Sequence, residues 1–353
     1  MYVNGTSLVM ILFLGNFVAA QDYIRFQDPA KGERETDCEI VSDSPKGARI
    51  RLRSVKEPVE IDAGNIVYLL GRVPGKSLSQ IREPLAREEL SRREGTEADK
   101  IAQLRLAVSG AEENLARTLG TQGSRGWALF LVRLKARLAE SEPEQIDQTL
   151  ALLTREKGNL EAGWTELPAL LLLSNLQQVK GDNEGAQRTL GQLSERPGLS
   201  LESRERAYLA RARILLRLRK LSEVSALMPR IADPANKAII QTALVLSQGQ
   251  PLPGLDATLK PAIAKATDPG LQAMGANLLG EWYLASNRKE DAFWEFLRVE
   301  TLFSEDRAEE ARALFHLTAL FDSVRNDPVR AGACRDKLKK PYFSGTEYQA
   351  RLK

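Results

Sequence analysis

The sequence predicts a mainly α-helical protein, a helical-repeat superhelix (an α-solenoid) preceded by a small all-β domain. Three observations predict it. From about residue 126 onward apolar residues recur with a period near 3.6, in pairs of helices about 12 to 15 residues long. Within several of those pairs a small residue on the first helix is followed by another small residue twelve positions later. Between Asp22 and Leu70, by contrast, apolar residues fall in short β-branched or alternating runs separated by turn-forming clusters.

Composition sets the frame. With 353 residues, 43% hydrophobic and 27% charged, the chain is long enough to bury a sizeable core in one or two domains. Lys and Arg number 50 against 47 Asp and Glu, so a net charge of +3 spreads over a large surface and creates no strong global field. Only 6% of residues are aromatic and no basic stripe interleaves with them, so nucleic acid is not an implied partner.

Residues 1–20 read as a secretory signal peptide. Leu8-Val9-Met10-Ile11-Leu12-Phe13-Leu14 is an unbroken apolar run, and Val18-Ala19-Ala20 supplies the small residues of a cleavage site after Ala20. The run is too short for a spanning helix of about 20 apolar residues, so no transmembrane segment is expected after cleavage. Export to the periplasm or the exterior follows, although the residues before the run include no Lys or Arg.

Residues 21–75 are expected to form the β domain. Tyr23-Ile24-Arg25-Phe26, Cys38-Glu39-Ile40-Val41, Ala48 to Arg53, Val59-Glu60-Ile61 and Ile66 to Leu70 are the strand runs. Asp28-Pro29, Ser44-Pro45-Lys46-Gly47 and Asp62-Ala63-Gly64-Asn65 supply the turns. Ile50 and Leu52 face one way and Arg49, Arg51 and Arg53 the other, either as a basic docking strip or as a solvated face. In size and succession of hairpins this stretch resembles SH3-like or Sm-like barrel modules. Gly71-Arg72-Val73-Pro74-Gly75 breaks both periodicities and marks the boundary.

Residues 76–125 read as a helical linker or cap, charged with both signs from Arg82 to Lys100 and apolar beyond Ile101. Residues 126–353 read as the repeat domain. Trp127 to Ala139 and Ile146 to Leu153 make a first pair across Pro143. Ser174 and Ala186 are twelve apart across the turn Lys180-Gly181-Asp182, and Ala212 and Val224 are twelve apart across Arg219-Lys220. A degenerate pair follows around Ala243, Leu244 and Ala257, interrupted by prolines. Gly280 and Ala292 repeat the spacing of twelve, with Leu279 and Tyr283 one turn apart on the first helix and Phe296 one turn beyond Ala292. A last pair runs from Leu317 to Leu338, with one extra residue in its turn, before a polar tail.

Leu279-Gly280-Glu281-Trp282-Tyr283 with Ala292 and Phe296 resembles a tetratricopeptide repeat, and the resemblance extends over roughly residues 126 to 340. It implies stacked helix pairs with a concave groove that takes a protein or peptide partner. It also implies kinship with exported bacterial envelope proteins that tether other envelope machinery.

One helix offers a candidate partner-binding surface. From Arg204 to Leu221 an apolar stripe of Ala207, Ala210, Ile214, Leu218 and Leu221 runs beside a basic one of Arg206, Arg213, Arg217 and Lys220. Leu201 to Arg230 holds eight basic and three acidic residues, so an acidic peptide or polyanionic envelope polymer could dock there. A solvated face is the alternative. Enzymatic chemistry lacks its parts. His316, the single histidine, lies on the apolar pattern Leu314, Phe315, Leu317 and Leu320, and no nucleophile elbow, phosphate loop or His-Glu-x-x-His is present. No catalytic, cofactor or metal residues are assigned. Cys38 and Cys334 read as two separate buried residues, one disulfide being the alternative. The expected function is an exported, non-enzymatic interaction scaffold. Self-association as a structural envelope subunit is the competing class.

Overall fold

The computed structural model describes residues 22–28, 31–52, 57–93, 95–250, 252–303 and 306–352, so residues 1–20, expected to be a signal peptide, and Arg53 lie outside the described residues. The chain is mainly helical, with one small antiparallel sheet at its amino-terminal end. Strands β1 (Asp22–Asp28), β2 (Gly32–Ser44), β3 (Gly47–Leu52), β4 (Val59–Asp62) and β5 (Ile66–Leu70) lie in the order β4-β3-β2-β1-β5. All five strand runs read from the sequence are present, and β2 extends well beyond Cys38–Val41 at both ends. A bulge between Ile40 and Ser42 shifts its register against β3. In β3, Ala48, Ile50 and Leu52 are buried while Arg49 and Arg51 are exposed, as the alternation requires. A 3-10 turn at Ala63–Asn65, capped by the Asp62 carboxylate, carries the chain from β4 to β5, the two edges of the sheet.

In β1 and β5 successive residues are buried, Tyr23 with Ile24 and Tyr68 with Leu69 and Leu70, so this part of the sheet is covered on both faces. The cover comes from the first helices: α1 (Leu78–Leu90), α2 (Glu97–Thr118) and α3 (Ser124–Leu138). Capping boxes at Ser77 with Gln80 and at Thr96 with Asp99 start α1 and α2. Helix α3 meets β5 where glycine allows backbone contact: a Cβ on Gly126 would sit 1.8 Å from the Leu69 carbonyl oxygen. Trp127, fully buried, donates from its indole Nε1 to the Gly71 carbonyl at 2.9 Å. The class of secondary structure changes across residues 71–75, but one hydrophobic core runs through that point from Ile24 and Leu70 to Trp127 and Phe130.

The remaining helices are α4 (Gln145–Arg155), α5 (Lys157–Leu160), α6 (Glu166–Val179), α7 (Asn183–Ser194), α8 (Leu201–Arg217), α9 (Leu221–Leu227), α10 (Pro234–Ser247), α11 (Leu255–Lys265), α12 (Pro269–Ala285), α13 (Lys289–Leu302), α14 (Arg307–Arg325), α15 (Pro328–Leu338) and α16 (Glu347–Ala350). From α6 onward the chain repeats one local geometry. The capping residues of α6, α8, α10, α12 and α14 are Thr165, Ser200, Asp233, Asp268 and Asp306, at intervals of 33 to 38 residues. In the turns that close α6, α8, α10 and α12, a left-handed residue (Gly181, Arg219, Gly249 or Asn287) is followed by one whose N–H bonds a carbonyl five residues back. In the turn after α14, Asn326 is left-handed and Asp327 reaches back six, the one extra residue. All nine repeat-signature residues, Ser174, Ala186, Ala212, Val224, Leu279, Gly280, Tyr283, Ala292 and Phe296, are buried.

One expectation needs correction. Helix α8 ends at Arg217, because Arg219 turns left-handed (φ 58°), so Lys220 caps α9 and is not part of the α8 stripe. The polar tail is structured: Phe343 is buried at 2% exposure, and α16 carries Tyr348 to the Glu281 carboxylate at 3.4 Å. Both cysteines are free and buried. Burial pushes the Cys38 thiol far up and, with nearby Glu300, the Cys334 thiol up to about 11, so neither is a reactive thiolate near neutrality. Among the described residues no helix is long and apolar enough to cross a membrane.

Candidate functional site

The four cations singled out on and after α8 each have a partner within the chain. Arg206 donates to the Gly64 carbonyl at 2.6 Å and to Glu202 at 2.8 Å, fastening α8 to the turn between β4 and β5. Lys220 pairs with Glu184 of α7 at 2.7 Å. Arg217 donates to Gln178 at 2.5 Å and lies 3.7 Å from Asp306. Arg213 reaches furthest, to Asp306 at 2.6 Å and Asp268 at 3.9 Å. Its guanidinium lies against Gly270, where a Cβ would be 1.4 Å from Nη1. One arginine thus meets the capping aspartates of two later helices, α12 and α14.

Electrostatics fits that geometry. Burial opposes charge on Asp306, but Arg213, Arg217 and the backbone N–H groups of Glu309 and Ala308 outweigh it and hold the carboxyl below its ordinary range. Arg213 is held in its charged form by Asp268, Asp306 and Glu309 against the same burial. These cations therefore brace the helices against one another.

A second cluster joins α12, α14 and α16. Glu281 accepts from Arg312 Nε at 2.7 Å, lies 3.2 Å from His316 Nε2 and 3.4 Å from the Tyr348 hydroxyl. Burial works against its ionisation, yet the Arg312 charge and the His316 and Arg312 hydrogen bonds hold it well below the carboxylate range. His316 also stacks on Phe296, ring centroids 4.4 Å apart and planes 17° apart. One face of the imidazole is thus closed by an aromatic and one nitrogen is occupied by a carboxylate. Asn277 adds a buried bond from Nδ2 to Glu309 at 2.9 Å.

Sequence reading did not anticipate that the carboxy-terminal segment meets the start of α2. Lys340 lies 3.8 Å from Glu97 at the start of α2, and Glu97 also accepts from Ser141 at 3.0 Å. Glu140, just past α3, is exposed as a whole residue, while its carboxyl group is desolvated by the protein crowded about it. That crowding, with repulsion from Glu310 and Glu97, raises its pKa to about 7 against the pull of Arg137 and Arg92. No periodicity signals such a meeting, since the contacting residues are more than two hundred positions apart.

Two shallow clefts stand out, of about 190 Å³ beside the start of α8 and about 130 Å³ between α10 and α11. Both are smaller than the roughly 300–1,000 Å³ of drug-sized ligand sites. No family model and no curated protein matches this chain.

Proposed function

We propose that this chain is an exported, non-enzymatic interaction scaffold, with a tetratricopeptide-like array of helix pairs from α6 to α15 and a barrel-like β module of SH3 or Sm type. The observation that carries the array is the recurring turn. At Asp182, Lys220, Gln250 and Arg288 the N–H bonds the carbonyl five residues back, each just after a left-handed residue. Stacked pairs of this kind bury their apolar sides only against neighbours and leave long curved faces for a protein or peptide. A partner that entered beside α8 would exchange the Arg213–Asp306 and Lys220–Glu184 pairs for its own, so its binding there would weaken with salt. An exposed aromatic elsewhere is a less costly contact. Trp294 on α13 is 54% exposed, with Arg325 stacked 4.8 Å above it, the residue types enriched at binding hot spots.

The test is chemical crosslinking of the full-length chain in envelope extract, with mass spectrometry of the linked peptides. Reproducible links from α6–α15 to one other protein, weakened in Trp294→Ala, support the reading. Links only between copies of the chain would replace it with a self-assembling subunit, and no links at all would overturn it. Deleting residues 21–75 is unsuited to this purpose, because it would strip the cover from Trp127 and Phe130.

A further inference from the structure

We infer that the 190 Å³ cleft at the start of α8 is a binding site for a small carboxylate with an apolar body, independent of whichever partner the helices hold. Its lining is Leu201, Arg204, Glu205, Tyr208, Arg230 and Ala232. The two arginines are the reason. Arg206, Arg211, Arg213 and Arg217 on the same helix all lie within ion-pair distance of carboxylates. The side chains of Arg204, partly buried, and Arg230, exposed, by contrast make no hydrogen bond or ion pair with any described residue. Arg204 Nε is moreover shielded from solvent and unsatisfied, as are the Nε atoms of Arg211 and Arg213, but those two guanidinium groups pair through their other nitrogens and that of Arg204 does not.

The rest of the lining narrows the ligand. Glu205 is the only acid in the cleft, and it is engaged, accepting the Asp233 N–H at 3.0 Å. With two guanidinium groups against one occupied carboxylate, the cleft has a net positive charge. It also lies beside the amino-terminal end of a 17-residue helix, where the dipole favours an anion. The planar fork of guanidinium matches a carboxylate with two parallel hydrogen bonds. Leu201, left 82% exposed at the rim, and Ala232, also exposed, offer apolar surface for the body of the ligand, with Tyr208 buried at 3% exposure in the lining. The volume admits an aliphatic or aromatic acid about the size of one residue, and rules out a nucleotide or a cofactor.

The experiment uses the full-length chain and 19F NMR of two probes, 4-fluorobenzoate and its neutral isostere 4-fluorobenzamide. The expected result is saturable line broadening by the acid with a dissociation constant on the order of 1 mM, as suits so few heavy atoms. The amide should bind about tenfold more weakly. Arg204→Gln and Arg230→Gln should each lose most of the acid binding while keeping the melting temperature, whereas Arg49→Gln, on the exposed face of β3, should change nothing. Equal binding of acid and amide, acid binding unaltered in both glutamine variants, or no saturation by about 20 mM would each overturn the site. Should a glutamine variant fail to fold, the acid and amide comparison on the unaltered chain decides the matter.

Discussion

Arg213 and Asp306 stand 93 positions apart in the chain and 2.6 Å apart in the fold. The carboxylate that caps α14 is the same one that neutralises a guanidinium projecting from α8. A local requirement, an acceptor for the first free N–H groups of a helix, and a long-range one, charge compensation in a desolvated place, are met by one side chain.

Breaking that pair should cost more than deleting it. The side chains are only 15% and 16% exposed. Arg213→Met and Asp306→Asn should each lower stability by about 2 to 3 kcal/mol, because each leaves a charge without its main partner. Asn keeps the cap on Ala308 and Glu309, so the double variant should lose less than the sum, a coupling that urea unfolding of all four chains would measure. Because the Asp306 pKa is lowered by folding, its contribution should be complete above about pH 4 and fade as acid protonates it.

Gly280→Ala tests the close approach of α12 and α13. A Cβ there would lie 2.8 Å from the Phe296 ring, itself held between α12 and the His316 imidazole. Overpacking of this kind should cost about 1 to 3 kcal/mol, and Phe296→Leu in the same chain should recover part of it. Thermal melts of both variants would show whether the lost space is the cause.

Glu140 should make stability depend on pH near neutrality. Folding raises its pKa to about 7, so the unfolded chain releases this proton first as pH climbs. The wild-type chain therefore loses stability between the ordinary glutamate range and about pH 7, and no more above that. Glu140→Gln should be level across the window and more stable than wild type at pH 8. Melting curves of the two chains that stay parallel from pH 5 to 8 would refute the assignment.

Gly126→Ala should loosen sheet and helices together. The added carbon would lie 1.8 Å from the Leu69 carbonyl oxygen, so the start of α3 must move off β5. A loss of about 3 kcal/mol is expected. Hydrogen exchange should show β1, β5 and α3 losing protection as one unit, since their side chains belong to one core. Protection lost in α3 alone would mean that the sheet is stable by itself.

Much of the fold was legible along the chain because its causes are local. Alternation marked β3, turns such as Lys180-Gly181-Asp182 punctuated the helices, and the spacing of twelve placed Ser174 with Ala186 and Gly280 with Ala292 at buried positions. Gly181, Gly249, Asn287 and Asn326 announce their turns by residue type. Arg219 does not, and although the spacing of twelve puts the turn at Arg219-Lys220, the paired stripes run on through it to Leu221 and wrongly include Lys220.

What the sequence by itself determined is therefore the class of each segment and the side of each element that turns inward. Only the tertiary structure decided what the charges do. Periodicity groups Arg206, Arg213 and Arg217 on one face of α8, but it cannot say that they face Gly64, Asp306 and Gln178, while Arg204 and Arg230 are left unpaired in a cleft. Apolar burial is dictated by neighbours a few positions away. A long charged side chain is satisfied by whichever partner the folded chain brings within reach, and that partner can be a hundred residues distant.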